Sequence, residues 1–392
     1  MTVIDIRSIF SDRHIQIVDV NASYIYYAEE KNQDGQNELF LLEYNRKTRK
    51  ERLVMNYQLD DPTFVHHIYA FEKTIVLVLE NGSNSFWLIE LDKKSGGELN
   101  RRKLVCTGSF KECMMPDNDH LLIYMAEDAA NTEVFKKYKE LTGSECLCYL
   151  YHISANRKFF VNAPLISRIG CQNIKPIEAN GERYLVLADP YCEEGLKEHY
   201  YSEQRWISAD VRDNIWLCKT TDLEQDIEDG KDSITKKCIA SADIKALVRY
   251  MGMNGEKVYF RAKEFRSSTE KICSYDLTDG TLSVELTPEK PKKKNIFYLI
   301  EDDPYKTFTV TVGEEETHIR GLINSEADIS YDNSLGSLMT CIENRYCITK
   351  KTIFSEESKR EFTYYYLYDA ETGKYESYEC SCMIKGNTML LF

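Results

Sequence analysis

The sequence lacks the motifs of the common enzyme classes. It contains no Gly-x-Ser-x-Gly nucleophile elbow, no Gly-x-Gly-x-x-Gly turn and no phosphate-binding P-loop. No apolar run in its 392 residues approaches the ~20 residues that a membrane-spanning helix needs. These absences argue against the enzymes that depend on such motifs and against a helical membrane protein, and they predict no cofactor.

Cysteine is present without the spacing of a disulfide framework or a metal site. The 13 cysteines are scattered, and the closest pairs, Cys146-Leu-Cys148 and Cys380-Ser-Cys382, have one intervening residue instead of two. We expect these cysteines to be small core residues and predict no metal site. The first residues also lack the charged and apolar regions of a signal peptide. The sequence therefore predicts free thiols and a cytoplasmic location.

Positive charge is in deficit, because the formal net charge is -14. Such a surface repels phosphate backbones and anionic lipid headgroups, so we expect neither nucleic acid nor membrane as a partner. The one basic run, Lys290 to Lys294, is typical of a solvated loop.

Proline and glycine are scarce beside tyrosine, at 8 and 18 against 27. Tyrosine favours strands, because a half-buried pleated surface suits its apolar ring and polar tip. Here it occurs in short runs such as Tyr364-Tyr365-Tyr366. The composition therefore favours an all-β protein.

A two-part pattern recurs along the chain. A polar turn leads into an aromatic or β-branched strand, as in Asn180-Gly-Glu-Arg-Tyr-Leu-Val-Leu, and a strand–turn–strand segment follows, as in 366–375. Eight copies can be marked by one residue each: Tyr24, Ile75, Leu122, Tyr184, Val258, Phe308, Tyr346 and Met389. Most spacings match the roughly 40 to 50 residues of a four-stranded propeller blade. We predict one β-propeller domain over residues 1–392 rather than two β-sandwiches.

The number of blades depends on how the ring closes. Seven full units run from about His14 to Glu379, and the two-strand remnant Cys380–Phe392 follows. Pairing of this remnant with Thr2–Arg7 gives eight blades, which we prefer, whereas packing beside the last full unit gives seven.

The two-part pattern resembles the bacterial β-propellers without WD repeats, such as the TolB-like and related uncharacterised families. The Gly-His and Trp-Asp marks of WD repeats and the Gly-Gly pairs of kelch repeats are absent. The resemblance implies a fold and a platform for binding, and it transfers no activity.

Two long spacings between markers predict short helical insertions in the third and fourth blades, at 127–145 and 190–213. Both fall between the second and third strands, so we expect them on one face. In the first, Asn131 or Thr132 can cap a helix that Gly143 ends. Apolar residues then share one side of it: Val134, Phe135, Tyr138 and Leu141.

The insertions supply the candidate binding residues, because long excursions from a rigid scaffold concentrate aromatic and polar side chains. These candidates are Tyr138, His199, Tyr200, Tyr201 and Trp206. The alternative is that the aromatic residues pack on each other or on the propeller rim.

A third excursion, 220–233, carries alternating acidic residues. It fails as an EF-hand loop, since Ile227 replaces the required glycine and Ser233 the bidentate glutamate. We expect a solvated acidic turn. The histidines are isolated apart from His66-His67, whose side chains point to opposite faces of a strand.

Taken together, these features favour a monomeric, non-catalytic binding module that engages a protein or peptide through the face of the insertions. The alternative is a propeller-fold hydrolase or lyase with its site at the central channel, built from residues of separate blades.

Overall fold

A computed structural model of the chain describes residues 1–7, 15–20, 23–33, 36–59, 63–81, 84–192, 211–242, 246–264, 270–286, 296–300, 307–322, 326–356, 358–385 and 387–392. Within these residues the strands form eight sheets, and the sheets are the blades of an eight-bladed β-propeller. The predicted all-β propeller is confirmed, as is the preference for eight blades.

Each of the first seven blades has four strands in sequence order. The strands of blades 1 to 4 are β2 (Ile15–Val20), β3 (Tyr24–Gln33), β4 (Gln36–Asn45), β5 (Lys50–Leu59); β6 (Thr63–Ala70), β7 (Thr74–Asn81), β8 (Ser85–Asp92), β9 (Glu98–Val105); β10 (Ser109–Met114), β11 (His120–Ala126), β12 (Leu147–His152), β13 (Arg157–Phe160); and β14 (Ile174–Ala179), β15 (Glu182–Cys192), β16 (Val211–Lys219), β17 (Lys237–Ser241).

The strands of blades 5 to 7 are β18 (Ala246–Asn254), β19 (Lys257–Glu264), β20 (Glu270–Asp276), β21 (Leu282–Leu286); β22 (Ile296–Ile300), β23 (Thr307–Val312), β24 (Glu316–Gly321), β25 (Asp328–Asp332); and β26 (Ser337–Ile342), β27 (Tyr346–Ser355), β28 (Arg360–Asp369), β29 (Lys374–Glu379). The second strand of every blade begins within two residues of its predicted marker.

The core lies between neighbouring blades. Strand β7 shows how the sequence builds it, because residues 75–79 are an unbroken apolar run that is fully buried. Val76 and Val78 pack with blade 3, whereas Ile75 and Leu77 pack with blade 1. A strand covered on both faces has no polar side, so it reads as a continuous hydrophobic segment.

The eighth blade has three strands and closes the ring with both ends of the chain. Its order is β30 (Cys382–Lys385), β31 (Thr388–Leu391) and β1 (Thr2–Asp5). Strand β1 runs parallel to β31, with Thr2 opposite Thr388, whereas the other seven blades are antiparallel. Strand β1 is the third strand of this blade, but it has the direction that the fourth strand has in the other blades. The chain therefore leaves β1 at the edge of the ring where the other blades connect to the next blade.

Three α-helices have bounds within the described residues: α1 (Thr132–Thr142), α2 (Pro164–Ile169) and α3 (Thr220–Glu228). Two 3₁₀ helices, Cys171–Asn173 and Asn333–Leu335, accompany them. Helix α1 is the one predicted for the first insertion, and the left-handed residue that ends it is Gly143. Helix α3 replaces the expected acidic turn, so that prediction is wrong. Its apolar side chains, Leu223 and Ile227, are four residues apart and buried against the core.

None of the helices in the described ranges is long and apolar enough to cross a membrane. Twelve of the thirteen cysteines are described as free thiols, and nearly all of these twelve are buried or half-buried.

Candidate functional site

The propeller has two faces that carry different connections. Because consecutive strands of a blade alternate in direction, the first-to-second and third-to-fourth connections lie at one edge, which we call the lower face. The second-to-third connections lie at the opposite edge, the upper face. Both predicted insertions connect second to third strands, since α1 joins β11 to β12 and the segment after Cys192 joins β15 to β16.

Of the predicted binding residues, Tyr138 alone lies within the described residues; His199, Tyr200, Tyr201 and Trp206 lie outside them. Tyr138 is 7% exposed, which agrees with the alternative that the aromatic residues of the insertion pack on the propeller. Its hydroxyl donates to the Val161 carbonyl at 2.6 Å. Helix α1 turns Phe135 and Tyr138 toward the blade and leaves Val134 and Leu141 exposed, so the apolar side predicted for it is only partly buried.

The lower face carries a cleft of about 960 Å³ between blades 1 and 2. Two tyrosines of β3 and the charged turns of both blades line it: Tyr24, Tyr26, Glu43, Asn45, Lys50, Glu51, Arg52, Glu72, Lys73, Asp92, Lys93 and Lys94. The acidic and basic side chains differ in how they are paired.

Most carboxylates of the cleft are engaged within the protein. Glu43 accepts a hydrogen bond from the Tyr26 hydroxyl at 2.7 Å and one from Arg52 at 3.1 Å. Asp92 accepts from the Ser95 backbone and hydroxyl, both at 2.6 Å. In contrast, three exposed lysines have no side-chain hydrogen bond or ion pair with any described residue: Lys50, Lys73 and Lys94.

A second group on the lower face brings six polar residues of blades 3 and 4 together, and we call it the histidine–carboxylate cluster: Asp117, Asp119, His120, His152, Glu224 and Glu228. Strand pairing positions its histidines, because His120 at the start of β11 is directly opposite His152 at the end of β12. Their side chains share a face, and the ring centroids are 4.3 Å apart. Glu224 and Glu228, one turn apart on α3, face them.

His120 is held by two carboxylates at one edge of its ring. Its Nδ1 donates to Asp117 Oδ2 at 3.0 Å and lies 2.9 Å from Glu224 Oε1. The other ring nitrogen, Nε2, is buried and has no hydrogen-bond partner in the described part of the chain.

His152 bridges the two blades. Its Nδ1 lies 2.8 Å from Glu228 Oε1 of α3, and its Nε2 lies 3.1 Å from Asp119 Oδ2. Asp119 is oriented in turn by the backbone N–H and the hydroxyl of Ser154, at 2.8 and 2.6 Å.

The cluster shifts the acidity of its members. Burial opposes the charging of His120, and the hydrogen bonding to Asp117 and Glu224 more than offsets it, so the pKa of His120 rises to about 10. Burial, together with the nearby Asp117, raises the pKa of Glu224 to about 7 despite His120. For Asp117, burial is outweighed by hydrogen bonding to His120 and Glu224, and its pKa falls well below the usual range.

Ser154, His152 and Glu228 have the residue types of a hydrolytic triad, with the Ser154 hydroxyl 3.2 Å from His152 Nε2. The hydroxyl, however, donates to Asp119 at 2.6 Å, and Asp119 also lies against Nε2. An imidazole whose Nε2–H points at a carboxylate cannot accept the serine proton. The arrangement therefore does not activate Ser154 as a nucleophile.

Sequence reasoning missed this cluster because its histidines are isolated in the chain. The signal that could have found it is the pair Leu223 and Ile227, whose helical spacing puts Glu224 and Glu228 together on a neighbouring side.

No family model matches the sequence, and no curated protein matches it. Solved structures do resemble the fold. Dipeptidyl peptidase 4 of Porphyromonas gingivalis aligns with a TM-score of 0.52 at 10% identity, over 96% of this chain and 55% of that one. An uncharacterised protein of Listeria monocytogenes aligns at 0.45 and 9% over 96% of both chains, and the β-propeller domain of the Trilobed protease of Pyrococcus furiosus at 0.41 and 11% over 93% and 94%.

The likeness is one of fold. At such identities it carries no activity from one protein to another. The chain spans about half the length of several peptidases that it matches.

Proposed function

We propose that the chain is a non-catalytic binding module whose lower-face cleft between blades 1 and 2 takes an acidic segment of a protein or peptide. The observation that carries the proposal is the pairing pattern of the cleft. Its aspartate and glutamate charges are largely engaged by neighbouring groups, whereas Lys50 and Lys73 make no side-chain hydrogen bond or ion pair with any described residue, and Lys94 has only a charge interaction with Asp92. In a protein of net charge -14, this makes the cleft a local attractor for anions.

The partly exposed Tyr24 adds a contact surface for the aliphatic or aromatic parts of such a segment, and the buried Tyr26 supports it from below. Tyr26 is fixed by Glu43 and lies under Lys93, whose Nζ is 5.2 Å from the ring centroid. Rigid aromatic side chains lose little entropy on binding, and they are common at interfaces.

The upper-face site at the insertions stays part of the proposal, with exposed Val134 and Leu141 as its described apolar surface. The proposal also includes a monomeric protein of the cytoplasm, without nucleic-acid or membrane partners, and kinship with the bacterial propellers that lack WD repeats. A hydrolase or lyase is the alternative, and the engaged hydroxyl of Ser154 does not favour it.

The test is binding of a short fluorescein-labelled poly-glutamate peptide, followed by fluorescence anisotropy. The double variant Lys50→Glu/Lys73→Glu should weaken binding about tenfold or more, and added salt should weaken binding to the wild type. Lys374→Glu, an exposed lysine of blade 7, is the matched control and should change little. Equal losses in the cleft and control variants, or no binding by the wild type, would refute the proposal.

A further inference from the structure

The histidine–carboxylate cluster contains a feature that protein contacts leave unexplained. The His120 side chain is 8% exposed, and its Nε2 has no hydrogen-bond partner among the described residues. Burying a polar nitrogen without a partner destabilises a protein, so such atoms in native structures call for a physical explanation.

The surroundings of this nitrogen are those of a metal ligand. One ring nitrogen of His120, one of His152 and one oxygen of Glu228 all lie within 4.8 Å of one another. Donor atoms around a tetrahedral zinc ion are separated by about 3.3 Å, which follows from metal–ligand distances near 2.0–2.1 Å.

Each histidine is also oriented by a carboxylate at the ring nitrogen that is not a proposed ligand. The Nδ1 of His120 is bound by Asp117 at 3.0 Å, and the Nε2 of His152 lies 3.1 Å from Asp119. A histidine that binds a metal usually donates its second ring N–H to a carboxylate in this manner, which fixes the tautomer and the ring orientation. These two contacts leave His120 Nε2 without a partner among the described residues, and His152 Nδ1 in contact with Glu228 Oε1 at 2.8 Å.

We propose that His120 Nε2, His152 Nδ1 and a carboxylate oxygen of Glu228 bind a divalent transition-metal ion of the zinc type, with Asp117 and Asp119 as positioning residues. Two imidazoles and one carboxylate suit such ions, whereas Mg²⁺ and Ca²⁺ prefer sites made of oxygen. Three protein ligands leave at least one coordination position for water or another ligand.

The charges around the proposed ion favour a cation. Four carboxylates surround two histidines: Asp117, Asp119, Glu224 and Glu228. An ion-pair network with charged histidines accounts for the contacts of His120 Nδ1 and of His152. It gives no partner to His120 Nε2, however, whereas a metal ion satisfies this nitrogen and balances the carboxylates.

The site would also link two blades. Both histidines belong to blade 3, and Glu228 belongs to the helix that follows the third strand of blade 4. The ion would therefore hold α3 against its neighbour, and its binding should stabilise the folded chain. This proposal is independent of the cleft, which lies between blades 1 and 2.

The experiment is calorimetric titration of the full chain, stripped with a chelator, with ZnCl₂ and separately with MgCl₂. We expect one zinc ion per chain, no comparable binding of magnesium and a rise in melting temperature with zinc. His120→Gln and His152→Gln should weaken zinc binding about a hundredfold or more, and Asp119→Asn about tenfold to a hundredfold. His318→Gln, in blade 6, is the matched control and should keep wild-type affinity.

Co²⁺ gives a readout that does not depend on the stability of the variants. Added to the wild type, it should produce the visible absorption of a low-coordinate nitrogen and oxygen site, and zinc should abolish that absorption. Absence of zinc binding by the wild type would overturn the proposal. Folded His120 and His152 variants that bind zinc with wild-type affinity would also overturn it. So would a loss of zinc affinity in His318→Gln as large as the loss in the two cluster variants.

Discussion

At the scale of single residues, the hydroxyl of Tyr138 connects the first insertion to blade 3. It donates to the Val161 carbonyl, accepts from the Cys148 backbone N–H at 3.2 Å and contacts Ser167 Oγ at 2.8 Å. Burial raises the pKa of Tyr138, so the hydroxyl stays protonated across the physiological range. This residue therefore braces α1 on the propeller.

Tyr138→Phe should lower the free energy of unfolding by about 1–3 kcal/mol, because the buried N–H of Cys148 loses its acceptor. Urea titration followed by circular dichroism measures the change. Tyr375→Phe removes an exposed hydroxyl and should stay within about 0.5 kcal/mol of the wild type. A similar small effect at Tyr138 would show that the brace is unimportant.

The cysteines provide a second prediction at this scale. Burial raises the pKa of Cys106 to about 11, whereas Cys238 is exposed. Alkylation of the folded protein without reductant should therefore modify Cys238 before the buried thiols. After denaturation, mass measurement should find most of the 13 cysteines modified, and several protected pairs would contradict the reduced state.

At the scale of elements, α3 rests on few apolar contacts. Leu223 is completely buried in the core between blades 3 and 4, and Asp226 holds the following loop by accepting from Lys231 at 2.6 Å. The helix in turn supplies Glu224 and Glu228 to the cluster. Its packing is therefore a condition for the site.

Leu223→Ala should cost about 2–5 kcal/mol, since it leaves a cavity under the helix. The exposed Thr221→Ala is the matched control, and differential scanning calorimetry compares the two. Should Leu223→Ala melt like the wild type, the helix would not be firmly docked.

The second insertion can be tested in the same way through Trp206. If the second insertion serves recognition, Trp206→Ala should leave the melting temperature of the protein nearly unchanged. The substitution should, however, weaken the capture of a partner. Truncation of a buried tryptophan costs about 3–5 kcal/mol instead. A loss of that size would identify the insertion as a packed brace.

The strands could be predicted from the sequence because each blade repeats the same turn chemistry. The turn after Asn180, for example, precedes a second strand that begins at Glu182. Helix α3 was missed, since its acidic residues alternate like those of a polar turn and the helical spacing of Leu223 and Ile227 is its one apolar signal. The cluster depends on the pairing of His120 with His152. This pairing follows from the register of β11 and β12, and the insertion between these strands hides that register in the sequence.

At the scale of the whole molecule, stability depends on the closing blade. Ile6, just after β1, is fully buried and packs with Tyr27 of blade 1 and Leu390 of β31. The segment therefore joins the first and last blades through one small core.

Ile6→Ala should lower the free energy of unfolding by about 2–5 kcal/mol, because it opens a cavity in that core. Val3→Ala, at a partly exposed position of β1, should have a much smaller effect. Chemical denaturation measures both. Equal effects would mean that β1 contributes through backbone pairing alone.

The parallel pairing of β1 with β31 also determines how the ring responds to mechanical force. Thr2 lies beside Thr388 and Asp5 beside Leu391, so tension between the first and last residues pulls the two strands along their length in opposite directions. All the hydrogen bonds between them are then sheared together. An antiparallel closure would place both points of attachment at one end and would unzip one bond at a time. The closing blade therefore resists tension between these two strands by shear and not by unzipping.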